Sequence, residues 1–146
     1  MIKAAIVGLG WWGGTLVDSV ETSDTLKFVA ATTRSGSERD REIAARHALE
    51  FVADWNELLS RPDIDAVVLA TPPSGHTEQI ITAAKAGKHI FCEKPLALAA
   101  AQAQLAIAAV ERAGVTLGLG YNRRFHPSWI DLKRRIQAGE QGTILH

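Results

Sequence analysis

Gly8, Gly10 and Gly13 stand in the spacing G-x-G-x-x-G within Gly8-Leu9-Gly10-Trp11-Trp12-Gly13. A residue without a Cβ permits a tight turn off a strand, a close approach of backbone to a ligand, or a close approach of a helix to a sheet. The chemistry these positions allow is anion binding: a diphosphate held by backbone N–H groups at a helix N-terminus, where the aligned peptide dipoles favour negative charge. The motif is weak alone and gains meaning from its surroundings, an apolar strand before it and a helix after it. Both surroundings are present, with Ala4-Ala5-Ile6-Val7 on one side and a helical pattern over residues 13–20 on the other. Trp11 and Trp12 are unusual in an exposed loop; they either wall a cleft beside the loop or pack against a partner domain.

Two further groups lie where ligand chemistry is expected. A dinucleotide with a free ribose 2′-hydroxyl (NAD) is commonly met by an acidic residue ending the second strand, about twenty residues beyond the glycines. Thr33 occupies that place, followed by Arg34 and Ser35. No carboxylate stands there to repel a 2′-phosphate, and Arg34 and Ser35 offer it a guanidinium and a hydroxyl. NADP is therefore favoured over NAD; Arg34 stacking on adenine instead would leave the preference open. Lys94 follows an apolar segment at residues 89–92, at the carboxyl end of an expected parallel strand, where open α/β sheets bind ligands. An amine there can stabilise a developing alkoxide or relay a proton as hydride leaves. The alternative is a Glu93–Lys94 pair that supports only local structure.

The elements that must position these groups follow from the alternation of short apolar runs with longer helical patterns. Residues 4–7, 28–32, 66–70, 89–92 and 116–119 are short, apolar and without a clear period of two, as expected for strands covered on both faces, and a weaker strand is predicted near residues 50–52. Helices are predicted over residues 13–20, 38–47 with Ser37 as N-cap, 54–59 with Asp54 and Glu57 at capping-box spacing, 75–86 after Ser74, 99–113 and 127–138. Gly87, Gly114 and Gly139 stand at the expected stops of the last three. The last helix carries Trp129, Leu132 and Ile136 on one face. Strand–helix alternation of this kind implies an α/β fold, a doubly wound, Rossmann-like parallel sheet of order 3-2-1-4-5-6. Residues 1–121 are read as the dinucleotide-binding domain and residues 122–146 as a crossover helix plus the truncated start of a second domain, with a strand beginning near residue 142.

Bulk properties narrow the partners. The 146 residues, 47% hydrophobic and 22% charged, suit one globular domain with its own core. Sixteen Lys and Arg balance 16 Asp and Glu, so neither nucleic acid nor an anionic membrane is favoured, despite the local basic group Arg123, Arg124, Lys133, Arg134 and Arg135. Cys92 is single, which excludes an internal disulfide and suits a reducing compartment. There is no basic-then-apolar leader and no long apolar run, so a cytoplasmic location is expected. The histidines are too scattered for a metal site. Cys92 is read as a small hydrophobe in a buried strand, and no role is assigned to His126.

At Phe91-Cys92-Glu93-Lys94-Pro95-Leu96-Ala97 the chain resembles the Glu-Lys-Pro motif of the glucose–fructose oxidoreductase and inositol dehydrogenase (Gfo/Idh/MocA) family. The glycine loop, Thr71-Pro72-Pro73 with His76, Gly87-Lys88-His89 and Tyr121-Asn122-Arg123-Arg124-Phe125 agree with it in order and spacing, and residues 139–144 look like the family's passage into its second domain. The likeness covers nearly the whole chain but only the first part of a family member, which continues into an α+β domain. The resemblance implies that Gly8, Gly10 and Gly13 hold the pyrophosphate, and that Arg34 and Ser35 sit at the adenosine ribose. It also implies that Thr71, Pro72 and Pro73 line the cofactor cleft with His76 at the next helix start. Glu93 and Lys94 would lie near the nicotinamide ribose, Lys94 near the substrate hydroxyl, and Arg124 against cofactor or substrate. Thr33 departs from the acidic residue of NAD-using members.

The resulting expectation is the cofactor-binding portion of an NAD(P)-dependent oxidoreductase, acting on a small hydroxyl or carbonyl substrate of sugar or polyol type, with little activity in this fragment and a homo-oligomeric full-length form. A non-catalytic NADP-binding or sensor module is the competing expectation.

Overall fold

A computed structural model describes residues 1–143; the strand expected to begin near residue 142 runs into residues outside these. Six strands, β1 (Ile2–Val7), β2 (Leu26–Thr32), β3 (Glu50–Phe51), β4 (Ala66–Leu69), β5 (His89–Cys92) and β6 (Leu117–Leu119), form one sheet of order β3-β2-β1-β4-β5-β6. Every pairing is parallel. The expected order is thus observed, weak third strand included.

Helices α1 (Trp11–Ser19), α2 (Glu38–Arg46), α3 (Trp55–Ser60), α4 (His76–Lys85) and α5 (Ala100–Ala113) cover the two faces. Alternate residues of the central strand feed different cores. Ala5 and Val7 join Leu58, Ile64, Val67, Leu69, Ile80 and Ala106 in one cluster, whereas Ala4 and Ile6 join Val17, Phe28, Ala31, Ala44 and Val68 in the other. Burial on both sides explains the unbroken apolar run Ala4-Ala5-Ile6-Val7 of β1, because neither face of that part of the strand meets water. Each large aliphatic fully buried here, such as Ile6 or Leu69, contributes about 1.5–3 kcal/mol relative to exposure.

The helix boundaries differ from expectation in instructive places. α1 starts at Trp11, with Gly10 as N-cap, two residues before the expected Gly13. Trp11 and Trp12 therefore belong to its first turn, not to a loop. Ser74 does not cap α4; a 3-10 turn, Pro73–Gly75, delivers the chain directly to His76. Ser37 does cap α2, in a reciprocal box with Asp40. Asp54 Oδ1 accepts from Glu57 N at 2.7 Å, half of the box its spacing suggested. The final helix, α6 (Pro127–Gln137), is capped by His126, whose Nδ1 accepts from Ser128 N. It packs on the preceding 3-10 turn, Asn122–Phe125, and buries none of its residues, so its Trp129, Leu132 and Ile136 face is open.

Buried polar groups at the strand ends are satisfied by specific partners. Lys88 Nζ donates to the carbonyls of Arg61 and Ile64 at 2.7 and 2.8 Å, which ties the end of α3 to the start of β5. Cys92 lies fully buried in β5, and burial, aided by the charge of Glu93, pushes its thiol up to about 12. The residue is an apolar packing unit, as expected.

Candidate functional site

All the chemistry-bearing residues converge on the carboxyl edge of the sheet. Gly8 follows β1 with φ +97°, and a Cβ there would lie 2.7 Å from the Ala70 carbonyl oxygen. A Cβ on Gly13 would lie 2.0 Å from the Gly8 carbonyl oxygen, so α1 can approach the β1 end only without one. Gly10 is different in kind: a Cβ there would meet nothing within 4 Å. Of the three motif glycines, Gly10 is the one that packing does not require, and space lies open beside it at the helix start.

The N-terminus of α1 is also left chemically available. No side chain caps it and no acidic residue stands in its first turn. By contrast α2 and α3 are capped by Ser37 and Asp54 and carry acidic first turns. The first-turn N–H groups of a helix need acceptors, and a diphosphate supplies them with charge of the favoured sign. Loop, helix start and open space together fit a dinucleotide.

Beside this corner lies a cleft of about 480 Å³ lined by Trp11, Trp12, Ala70, Thr71, Glu93, Lys94, Asn122 and Arg123. Trp11 is 81% exposed, its ring 5.6 Å from that of Trp12 and tilted by 43°. Both tryptophans line this cleft. The Trp12 indole N–H is buried and has no partner among the described residues. Glu93, only 8% exposed, packs against Gly120, where a Cβ would lie 2.6 Å from its Oε1. Its Oε2 accepts from the backbone N–H of Lys94 at 3.2 Å. Lys94 is exposed, and among the described residues its amine makes no ion pair. A Glu93–Lys94 side-chain pair is thus not formed. Lys94 lines the cleft just past the end of β5.

His76 stands at the start of α4, as expected, but its ring is held by backbone. It is 1% exposed; Nδ1 lies 2.8 Å from the Pro95 carbonyl oxygen and Nε2 lies 2.9 Å from that of Thr71. Both ring nitrogens are engaged by backbone, so neither is free for a ligand. The imidazole braces Thr71 against the segment bearing Lys94. The Thr71 hydroxyl donates to Gln79 Oε1 at 2.6 Å. Pro72 caps and Pro73 begins the 3-10 turn that leads from Thr71 into α4. On the opposite rim Asn122 and Arg123 line the cleft, and Arg124, expected against cofactor or substrate, follows them exposed in the same 3-10 turn. The rule that ligands meet the carboxyl ends of parallel strands, applied to β6 as it was to β5, would have pointed to Asn122 and Arg123.

The third group lies beyond β2. Thr33 Oγ1 and Ser35 Oγ both donate to Asp40 Oδ2, at 2.7 and 2.5 Å, and Ser37 N donates to the same oxygen at 3.2 Å. Burial acts to raise the Asp40 carboxyl, but the bonds from Ser35, Thr33 and Ser37 outweigh it and bring it down to about 2. Sequence reasoning missed Asp40, because it lies seven residues beyond the position where the acidic residue is sought. Arg41 is occupied, its guanidinium 4.6 Å above the Phe51 ring and its Nε donating to the Gly36 carbonyl. Arg34 is exposed and makes no ion pair among the described residues.

A family model described as an oxidoreductase family with an NAD-binding Rossmann fold, GFO_IDH_MocA, matches residues 2–121. The chain belongs to this family. It is 38% identical over 143 residues to an uncharacterized oxidoreductase, YrbE, of Bacillus subtilis, covering 97% of this chain and 42% of that protein. It is 37% identical to the scyllo-inositol 2-dehydrogenase (NAD(+)) of the same organism, covering 99% and 43%. A crystal structure of scyllo-inositol dehydrogenase from Lactobacillus casei, with bound NAD(H) and scyllo-inositol, superposes with a TM-score of 0.88 at 31% identity, covering 99% of this chain and 43% of that one. The chain thus spans less than half the length of these proteins. Among the described residues no helix is long and apolar enough to cross a membrane, and no cluster of His, Cys, Asp and Glu could hold a metal ion.

Proposed function

We propose that this chain is the coenzyme-binding portion of a dehydrogenase or reductase that transfers hydride between nicotinamide and a hydroxyl–carbonyl substrate of sugar or polyol type. The observation that carries the reading is the uncapped α1 N-terminus with open space at Gly10, beside a cleft that Lys94 lines. Similarity to a protein named for scyllo-inositol oxidation supports a polyol-like substrate.

Bound here, the coenzyme would supply the hydride acceptor or donor. The protein's part is positional and electrostatic. Backbone N–H groups at the start of α1 hold the diphosphate. Trp11 and Trp12 shield one side of the cleft. Lys94 holds a proton at the substrate oxygen, taking it as the alcohol is oxidised and returning it as the carbonyl is reduced. His76 keeps the Lys94 segment in register with Thr71. The preferred coenzyme in this reading is NADP, with Arg34 as the cation for its 2′-phosphate. The division at residue 121, the catalytic role of Lys94 and a homo-oligomeric complete form belong to the same reading.

Calorimetric titration with NADP and NAD side by side tests it. Binding of at least one is expected below about millimolar concentration, and no binding of either refutes the reading. In a catalytically complete form, Lys94→Ala should lower turnover by about a hundredfold or more while coenzyme affinity changes little. Equal losses in both would make the lysine structural.

A further inference from the structure

Asp40 sits in the first turn of α2, and its Oδ2 collects the hydroxyl protons of Thr33 and Ser35. Those two residues follow β2, where a doubly wound sheet receives the adenosine ribose of a dinucleotide. A serine or threonine hydroxyl has one proton and two lone pairs. Once Ser35 gives its proton to Asp40, it offers a ligand lone pairs alone. Thr33 is committed further, because its Oγ1 also accepts from Gly36 N at 3.0 Å. A ribose hydroxyl can donate to such oxygens. The oxygens of an ionised 2′-phosphate can only accept, and they would meet lone pairs and a carboxylate.

Resting on the reading that a dinucleotide binds at this edge, we propose that Asp40 is the coenzyme-specificity residue. From α2 it supplies the carboxylate that the end of β2 lacks. Through Thr33 and Ser35 it favours a free 2′-hydroxyl and opposes the 2′-phosphate that Arg34 attracts. With its carboxyl held at about 2, Asp40 is ionised at any working pH. Coenzyme choice is then a contest between Arg34 and Asp40, and Ser35 serves the ribose rather than the phosphate.

The test is titration of the chain with NADH and NADPH as wild type, Asp40→Asn and Ser35→Ala. Asp40→Asn keeps an oxygen for the α2 cap and removes the charge. It should raise the affinity for NADPH relative to NADH by about tenfold. Ser35→Ala leaves Asp40 and the cap in place and should weaken NADH more than NADPH. An unchanged or lowered NADPH-to-NADH ratio in folded Asp40→Asn overturns the proposal. So does a Ser35→Ala chain that loses NADPH affinity as much as NADH affinity, or more. Should Asp40→Asn fail to fold, the Ser35→Ala comparison decides. A wild-type chain that binds neither coenzyme refutes the dinucleotide reading itself and this proposal with it. A wild-type chain that binds, with variants that do not alter the ratio, refutes the Asp40 assignment alone.

Discussion

Gly10 and Gly13 share a motif but do different work, and the difference can be measured. At Gly13 an added methyl would collide with the Gly8 carbonyl, whereas at Gly10 it would project into open space. Gly13→Ala should therefore strain the α1–β1 contact by about 3 kcal/mol and lower the melting temperature by about 5 °C or more. Gly10→Ala should cost about 1 kcal/mol or less in stability yet reduce dinucleotide affinity by about tenfold or more, because its methyl occupies the ligand's space. Thermal melts and titrations on the two variants separate the roles; similar losses in both measurements would deny Gly10 its place against a diphosphate. Residue identities were legible where local geometry dictates them, as in the three glycines and in Lys94 at a strand end. They were not legible where distance along the chain hides proximity. Asp40 reaches Thr33 only after the chain has turned into α2, and His76 reaches Pro95 across two elements.

At the scale of elements, short apolar runs located the strands β1 to β6 and helical patterns the helices α1 to α6, though not the two 3-10 turns, and capping chemistry located some of their ends. Ser37 and Asp54 mark helix starts because their side chains satisfy first-turn N–H groups. The start of α1 was misplaced for the opposite reason. Gly10 leaves no such signature, and two tryptophans look unlike a first turn. The α2 cap also carries a pH dependence with a defined sign. Burial raises the Asp40 carboxyl, but its hydrogen bonds prevail and bring it down to about 2, below the ordinary aspartate value of about 3.9. The unfolded chain therefore takes up this proton first as pH falls. The contribution of Asp40 to stability is complete above about pH 4 and is lost between there and about pH 2. Acid unfolding followed by circular dichroism should be shallower through that window in Asp40→Asn than in wild type. Identical acid limbs would show that the carboxylate does not support the helix start.

At the scale of the molecule, the strand order was legible because parallel strands with right-handed crossovers leave few arrangements open to a β-α-β alternation. The exposed face of α6 was not. Trp129, Leu132 and Ile136 share one face, yet among the described residues α6 packs chiefly on the 3-10 turn before it and they remain in contact with solvent. An apolar period predicts that a helix has something to cover, not that the cover is present. The sheet order has one further consequence. β1 is the first strand in the chain but sits at the centre, paired with β2 on one side and with β4, some sixty residues later, on the other. During synthesis it must wait, half-paired, until residue 69 has left the ribosome. In that interval an apolar edge is open to any neighbouring strand. Nascent chains halted before β4 should consequently be the ones that chaperones hold and that aggregate when released.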